Sequence, residues 1–166
     1  MHDELTKLDI KKMQDEIDER KARNASLREN IRAARELGDL SENDEYRSAR
    51  REFGRNNSRI AYLENMINTA VVIEDDSAED AVGLFDKVTI YYEDDEEERT
   101  ISLVTTLRNN VLDGYISKES PLGIAIMGKK AGDRVLVKVN DKISYYVLIK
   151  SIEKSNEDPD IPISAF

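Results

Sequence analysis

Residues 36–52 read ELGDLSENDEYRSARRE, and how this stretch is read decides the fold. It carries Gly38 and then four acids within seven residues: Asp39, Glu42, Asp44 and Glu45. From Ile10 to Ala70 there is no proline, and Gly38 and Gly54 are the only glycines. Apolar residues recur with a heptad period on both sides of the stretch. Before it, one column is Ile10, Ile17, Asn24, Ile31 and the other is Met13, Arg20, Leu27, Ala34. After it, the columns are Tyr46, Phe53, Ile60, Ile67 and Ala49, Asn56, Leu63, Ala70. This is coiled-coil spacing. Folding the chain back at Leu40 sets Ala34 against Tyr46, Ile31 against Ala49 and Leu27 against Phe53. It also sets Arg20 against Ile60, Ile17 against Leu63 and Met13 against Ile67. The same fold-back brings Asn24 opposite Asn56, and an asparagine pair in a seam fixes register. The expectation is an antiparallel helical hairpin with arms of about 42 Å.

The acids at the turn then admit two readings. Gly38 suits the left-handed position after a helix, and Asp39 or Ser41 can cap the next one, with Glu42 or Asp44 three residues on. On that reading the carboxylates cap a helix and complement its dipole. Alternatively, Asp39 and Glu42 flank the turn, with Glu45 one helical turn beyond, and their carboxylates converge at the end of the hairpin. Mg²⁺ takes oxygen ligands and often uses only one or two carboxylates with water and substrate phosphates. Two acids on an exposed tip are thus an incomplete metal site, a fragment to be completed by a partner. Behind the tip lie Arg28, Arg32 and Arg35, then Arg47, Arg50, Arg51, Arg55 and Arg59. These are either solvated faces paired with Glu29, Glu36 and Glu52, or contacts to a phosphate backbone or an acidic wall.

Composition sets the outer limits. The chain has 166 residues, no cysteine and one histidine, His2, which excludes disulfides, thiolate chemistry and multi-histidine metal sites. No apolar run approaches a membrane span and no signal-peptide pattern opens the chain, so a cytoplasmic protein with no membrane partner is expected. The net charge of −10 is unevenly spread: −1 over residues 1–70 and −9 over residues 71–166. The second half is therefore a poor general nucleic-acid binder.

At 71–83, VVIEDDSAEDAVG, the heptad is lost, and the stretch reads as a linker. Strand patterns follow in KVTIYY, TISLVTTL, RVLVKV and SYYVLIKSI, with EDDEEER as a solvated hairpin loop and VND as a turn. ESPLGIAIMGKKAGD predicts a short helix, with Ser120 as cap, Pro121 at its first position, Gly128 at its end and Gly123 as a weak spot. The sheet is expected to bury Val88, Ile90, Leu103, Val135, Val137 and Val147 against that helix. The tail SNEDPDIPISAF reads as loose, with an apolar end able to dock. The expected boundary puts the coiled coil at 1–76, with its acidic tip at 38–46, and an α+β docking domain at 77–166.

ARELGDLSENDEYRSARRE resembles the tip of the bacterial Gre transcript-cleavage factors, usually close to AREHGDLSENAEYHAAKEE. SPLGIAIMGKKAGDRVLV resembles the second domain of that family, usually SPLGRALLGKKVGDEVEV. The likeness covers about residues 5–154, and the GreA branch is the nearer. It implies an α+β protein, a long antiparallel coiled-coil hairpin followed by an FKBP-like domain without expected isomerase activity. It implies a monomeric transcription elongation factor that is not an enzyme alone. Such a factor enters the secondary channel of bacterial RNA polymerase and stimulates the polymerase's cleavage of the 3′ end of backtracked RNA. Carried over, Asp39 and Glu42 help hold the second catalytic Mg²⁺ and its attacking water, shared with the polymerase and not bound tightly by the free protein. Asn43, Asp44 and Glu45 are supporting tip positions. Arg28, Arg32, Arg35, Arg47, Arg50, Arg51 and Arg55 face the nascent RNA or the channel walls. Asp44 stands where the family usually has alanine. It keeps a second reading open: a channel-binding regulator that inhibits or tunes the polymerase without cleavage.

Overall fold

Two long helices form from the heptad-patterned half: α1, Lys7–Arg35, and α2, Asp44–Thr69. The computed structural model describes residues 2–38 and 43–165. Asp39, Ser41, Glu42 and the fold-back point Leu40 lie outside the described residues. The chain divides into two compact units. One comprises 1–3 with 8–70, and the other 4–7 with 71–166. The division thus falls at Ala70/Val71, and Glu4–Lys7 belongs with the second unit.

In the hairpin unit the seam follows the heptad columns. Met13, Ile17, Leu27, Ala34, Ile60 and Leu63 are buried. The asparagine pairing is present: Asn56 Nδ2 donates to Asn24 Oδ1 at 2.9 Å and also to the Arg20 carbonyl at 2.9 Å. Around it lies a polar layer. Asn24 Nδ2 donates to Asn57 Oδ1 at 3.1 Å, and Arg20 Nη1 donates to Asn56 Oδ1 at 3.2 Å. Glu16 accepts from Arg20 Nε and Arg59 Nε, each at 2.8 Å. Burial works against the Glu16 carboxylate, but hydrogen bonds from Arg59 and Arg20 outweigh it, and its pKa is lowered from the ordinary value. These groups can satisfy one another only in one register of the two helices, so the layer specifies the pairing more than it adds stability.

The second unit is an α+β domain, as expected. Its main sheet has the order β5-β4-β3-β7-β6, made of β3 (Lys87–Tyr92), β4 (Glu97–Val104), β5 (Tyr115–Ser117), β6 (Arg134–Lys138) and β7 (Ser144–Glu153). Neighbours are antiparallel except β4 and β5. Helix α3, Pro121–Ile126, packs on one face, where Val88, Ile90, Leu103, Val135, Val137 and Val147 join Leu122 and Ile126 in the core. Ser120 caps α3, its side chain accepting from the Gly123 amide at 3.0 Å. Gly123 is no weak spot. A Cβ there would stand 2.2 Å from the Ser117 carbonyl oxygen, so glycine is what lets the helix approach this backbone.

Three differences from the sequence expectation have physical causes. Val71–Val72 (β2) is not linker but pairs in parallel with Glu4–Leu5 (β1), a match too short for any periodicity to reveal. TISLVTTL contains a strand only to Val104, and β4 begins back at Glu97 inside the acidic stretch, because pairing with β3 overrides the poor strand propensity of glutamate. The tail is not loose. Ile161 is buried with Leu84, Phe85 and Val104, and the Ser164 amide donates to the Leu107 carbonyl at 2.7 Å. Arg108, 1% exposed, donates to Glu157 Oε1 at 2.9 Å and to the Asp158 carbonyl at 2.7 Å. No helix among the described residues is long and apolar enough to cross a membrane.

Candidate functional site at the hairpin tip

Gly38, the last described residue of the first arm, has φ +135°, a backbone conformation that glycine adopts freely and other residues do not. On the second arm α2 is capped by Asn43, not by Asp39 or Ser41 as the sequence suggested. Asn43 Oδ1 accepts from the Tyr46 amide at 3.0 Å, while Asn43 Nδ2 donates back to the Ala34 carbonyl at 2.6 Å. One side chain thus closes the N-terminus of α2 and ties it to the C-terminal turn of α1. It holds the two arms together beside the acidic stretch.

Asp44 and Glu45 occupy the first turn of α2, where carboxylates favour the helix dipole. The Asp44 side chain is 96% exposed and 3.9 Å from Arg47 Nη1. Glu45 lines a shallow groove with Asn30, Ala33, Leu37, Ser48 and Glu52. Asp39 and Glu42, the residues expected to carry the metal, lie outside the described residues, and their convergence with Glu45 is untested by the structure. Among the described residues no three acids or histidines are grouped to hold a metal ion. The donor types on this tip are hard carboxylate oxygens, which fit Mg²⁺ but form only part of its coordination.

The arginines separate into two kinds. Arg32 is neutralised by Glu29 (2.5 Å) and Glu36 (2.8 Å), and Arg47 faces Asp44. Arg59 is 5% exposed and belongs to the polar layer with Glu16, so its reading as a surface contact is corrected. Aromatic rings hold the second kind. Arg28 lies over Phe53 with 5.8 Å to the ring centroid. Arg35 and Arg50 lie 5.5 Å and 5.7 Å from the centroid of Tyr46, and Arg35 Nη2 approaches the Tyr46 hydroxyl at 3.5 Å. Arg51 and Arg55 are exposed and have no carboxylate partner among the described residues. The sequence reading placed Tyr46 and Phe53 only in the seam. Their spacing of seven, matching that of Arg28 and Arg35, was the available signal for a second role.

Residues 4–72 match the model of the transcription elongation factor N-terminal domain, and residues 68–154 match the GreA/GreB C-terminal domain. The chain belongs to the GreA/GreB family of transcription elongation factors. It is 38% identical over 147 residues to transcription elongation factor GreA of Thermotoga neapolitana, covering 88% of this chain and 94% of that one. It is likewise 38% identical over 135 residues to GreA of Bacillus licheniformis, covering 80% and 85%. A solved structure of the transcription factor Gfh1 aligns with a TM-score of 0.45 at 25% identity, over 92% of this chain and 97% of that one. The docked tail after Lys154 lies beyond the stretch matched by the GreA/GreB models.

Proposed function

We propose that this GreA/GreB family member stimulates RNA cleavage in backtracked transcription complexes, delivering its tip through the secondary channel of RNA polymerase. The observation that carries the reading is the arrangement of charge along the hairpin. Its middle pairs charges internally through Glu16, Arg20 and Arg59, whereas at the tip Asp44 and Glu45 are exposed and Arg35 and Arg50 meet no carboxylate among the described residues. The protein supplies carboxylates and no complete site, so it is not an enzyme alone. Asp39 and Glu42 would hold Mg²⁺ jointly with the polymerase, and the ion supplies Lewis-acid stabilisation of the reacting phosphate. Asn43 ties the start of α2 to the end of α1, and the α+β domain docks on the polymerase. The chain acts as a monomer in the cytoplasm.

A second reading rests on Asp44, whose exposed carboxylate adds a charge beside the working pair. It makes the protein a channel-binding regulator that inhibits nucleotide addition. Cleavage of 3′-labelled RNA in a backtracked complex with the cognate polymerase and Mg²⁺ separates the two. Stimulation by wild type that Asp39→Ala/Glu42→Ala abolishes, with binding retained, supports the first. Inhibited nucleotide addition without cleavage supports the second.

A further inference from the structure

We propose that the hairpin is built as two cooperative units joined at the Asn24–Asn56 layer, and that the distal one, which carries the tip, opens while the base stays zipped. The boundary is a property of the two helices and holds whichever effect the tip exerts on the polymerase.

The apolar seam is unevenly supplied on the two sides of the layer. On the base side, Met13 and Ile17 of α1 and Ile60 and Leu63 of α2 are all buried. Two ion pairs there join one arm to the other, Glu16 with Arg59 and Lys21 with Glu64, each at 2.8 Å. On the distal side only Leu27 and Ala34 are buried among the described residues, while Ile31, Tyr46, Ala49 and Phe53 stay partly exposed. The ion pairs of Arg32 with Glu29 and Glu36, and of Arg47 with Asp44, run within one helix and tie nothing across the seam. Burial of apolar surface is the main force holding two such helices together, so the distal side is the weaker.

The backbone is weakest at the height of the layer on both arms. Asn24 and Ser26 on α1 stand level with Gly54, Asn56, Asn57 and Ser58 on α2, all residues that favour helix poorly. Gly54 is exposed, and a Cβ there would meet nothing within 4 Å. Packing therefore does not require glycine at this position, and its effect is to loosen α2 just distal to the layer.

The layer is also where a partly opened hairpin can end at least cost. A break at an apolar layer leaves hydrophobic surface facing water. A break here leaves side-chain amides that water can hydrogen-bond. On the base side, Asn56 keeps its bond to the Arg20 carbonyl, and Arg20 and Arg59 keep Glu16. Such a boundary lets one segment open without the other.

The test is native-state hydrogen exchange, read by mass spectrometry on the full-length protein at low guanidinium concentration. Amides within 28–37 and 45–52 are expected to lose protection at least about tenfold faster than those within 10–18 and 60–67, with the step falling at 20–27 and 53–59. Gly54→Ala should slow distal exchange about fivefold and leave the base unchanged. Ile60→Val should speed exchange in the base about fivefold and leave the distal amides unchanged. Both substitutions are mild, and far-UV circular dichroism verifies that each variant is folded. Equal protection along both arms would overturn the proposal. So would a smooth gradient from tip to root, or either variant shifting all segments together. A step at any other height would overturn the role of the layer as the boundary.

Discussion

The middle of the hairpin and its tip use the same residue type to opposite ends. Around Glu16 and Asn56, two arginines are folded into a layer where Arg20 donates to Glu16 and Asn56 and Arg59 donates to Glu16. Near the tip, Arg28, Arg35 and Arg50 flank the seam, rest on aromatic rings and meet no acid among the described residues. The first arrangement confines charge to the fold. The second keeps it available. The difference teaches that arginine count says little about binding in such a hairpin, and that what lies beside each guanidinium says a great deal.

The sharpest way to break this contrast is to remove charge from each region and compare stability with activity. Asp39→Ala/Glu42→Ala should lower cleavage stimulation by about 10²–10³-fold, the usual cost of losing groups that stabilise a reacting centre, with thermal unfolding unchanged. Arg59→Ala should do the reverse. It removes one of the two arginine partners of Glu16, leaving Arg20, and should cost about 2 kcal/mol, read as a lowered chemical-denaturation midpoint of the helical signal. If Arg59→Ala leaves that midpoint in place, the middle is no more an internal charge network than the tip is.

Two smaller effects sharpen the comparison. Asn43→Ala removes the α2 cap and the tie to Ala34, and should cost about 1 kcal/mol. Because this cap sits at the working end, cleavage should fall as well, which distinguishes it from Arg59→Ala assayed at saturating factor. The smallest effect is a pH dependence. The Glu16 carboxyl is held below its ordinary value near 4.5 in the folded hairpin. Its contribution to stability is therefore complete above that pH and lost as pH falls through the folded value. Melting temperature should thus drop as pH falls below the ordinary carboxylate value, and Glu16→Gln should flatten that part of the curve. An unaltered curve in Glu16→Gln would assign the acid sensitivity to other carboxylates.

How legible this was depended on periodicity. The heptad columns and the Asn24–Asn56 meeting could be read from the sequence because a two-helix seam imposes a long repeating constraint on residue type. The core strands and the capped α3 were legible for the same reason, through alternation and the Ser120-Pro121 start. What escaped lacks a repeat. Two residues suffice for β1 and for β2, Arg108 is buried by partners some fifty positions away, and Ile161 enters a minor core from an otherwise polar tail. At the tip, the choice of Asn43 over Asp39 or Ser41 as cap turned on a helix boundary placed two to four residues further along, the feature a sequence specifies least. The split among arginines turned on side-chain neighbours, which spacing hinted at but could not assign.

The docked tail has a consequence for the order in which the chain can be built. The hairpin is made from contacts between residues 8–70 and can form as soon as they are available. The second unit needs Glu4–Lys7 from the start of the chain and Ile161 near its end. During synthesis it must hold Leu84, Phe85 and Val104 partly uncovered until Ile161 emerges, with the buried Arg108 awaiting Glu157. The hairpin can thus be complete while the second unit still waits for residues more than ninety positions beyond it.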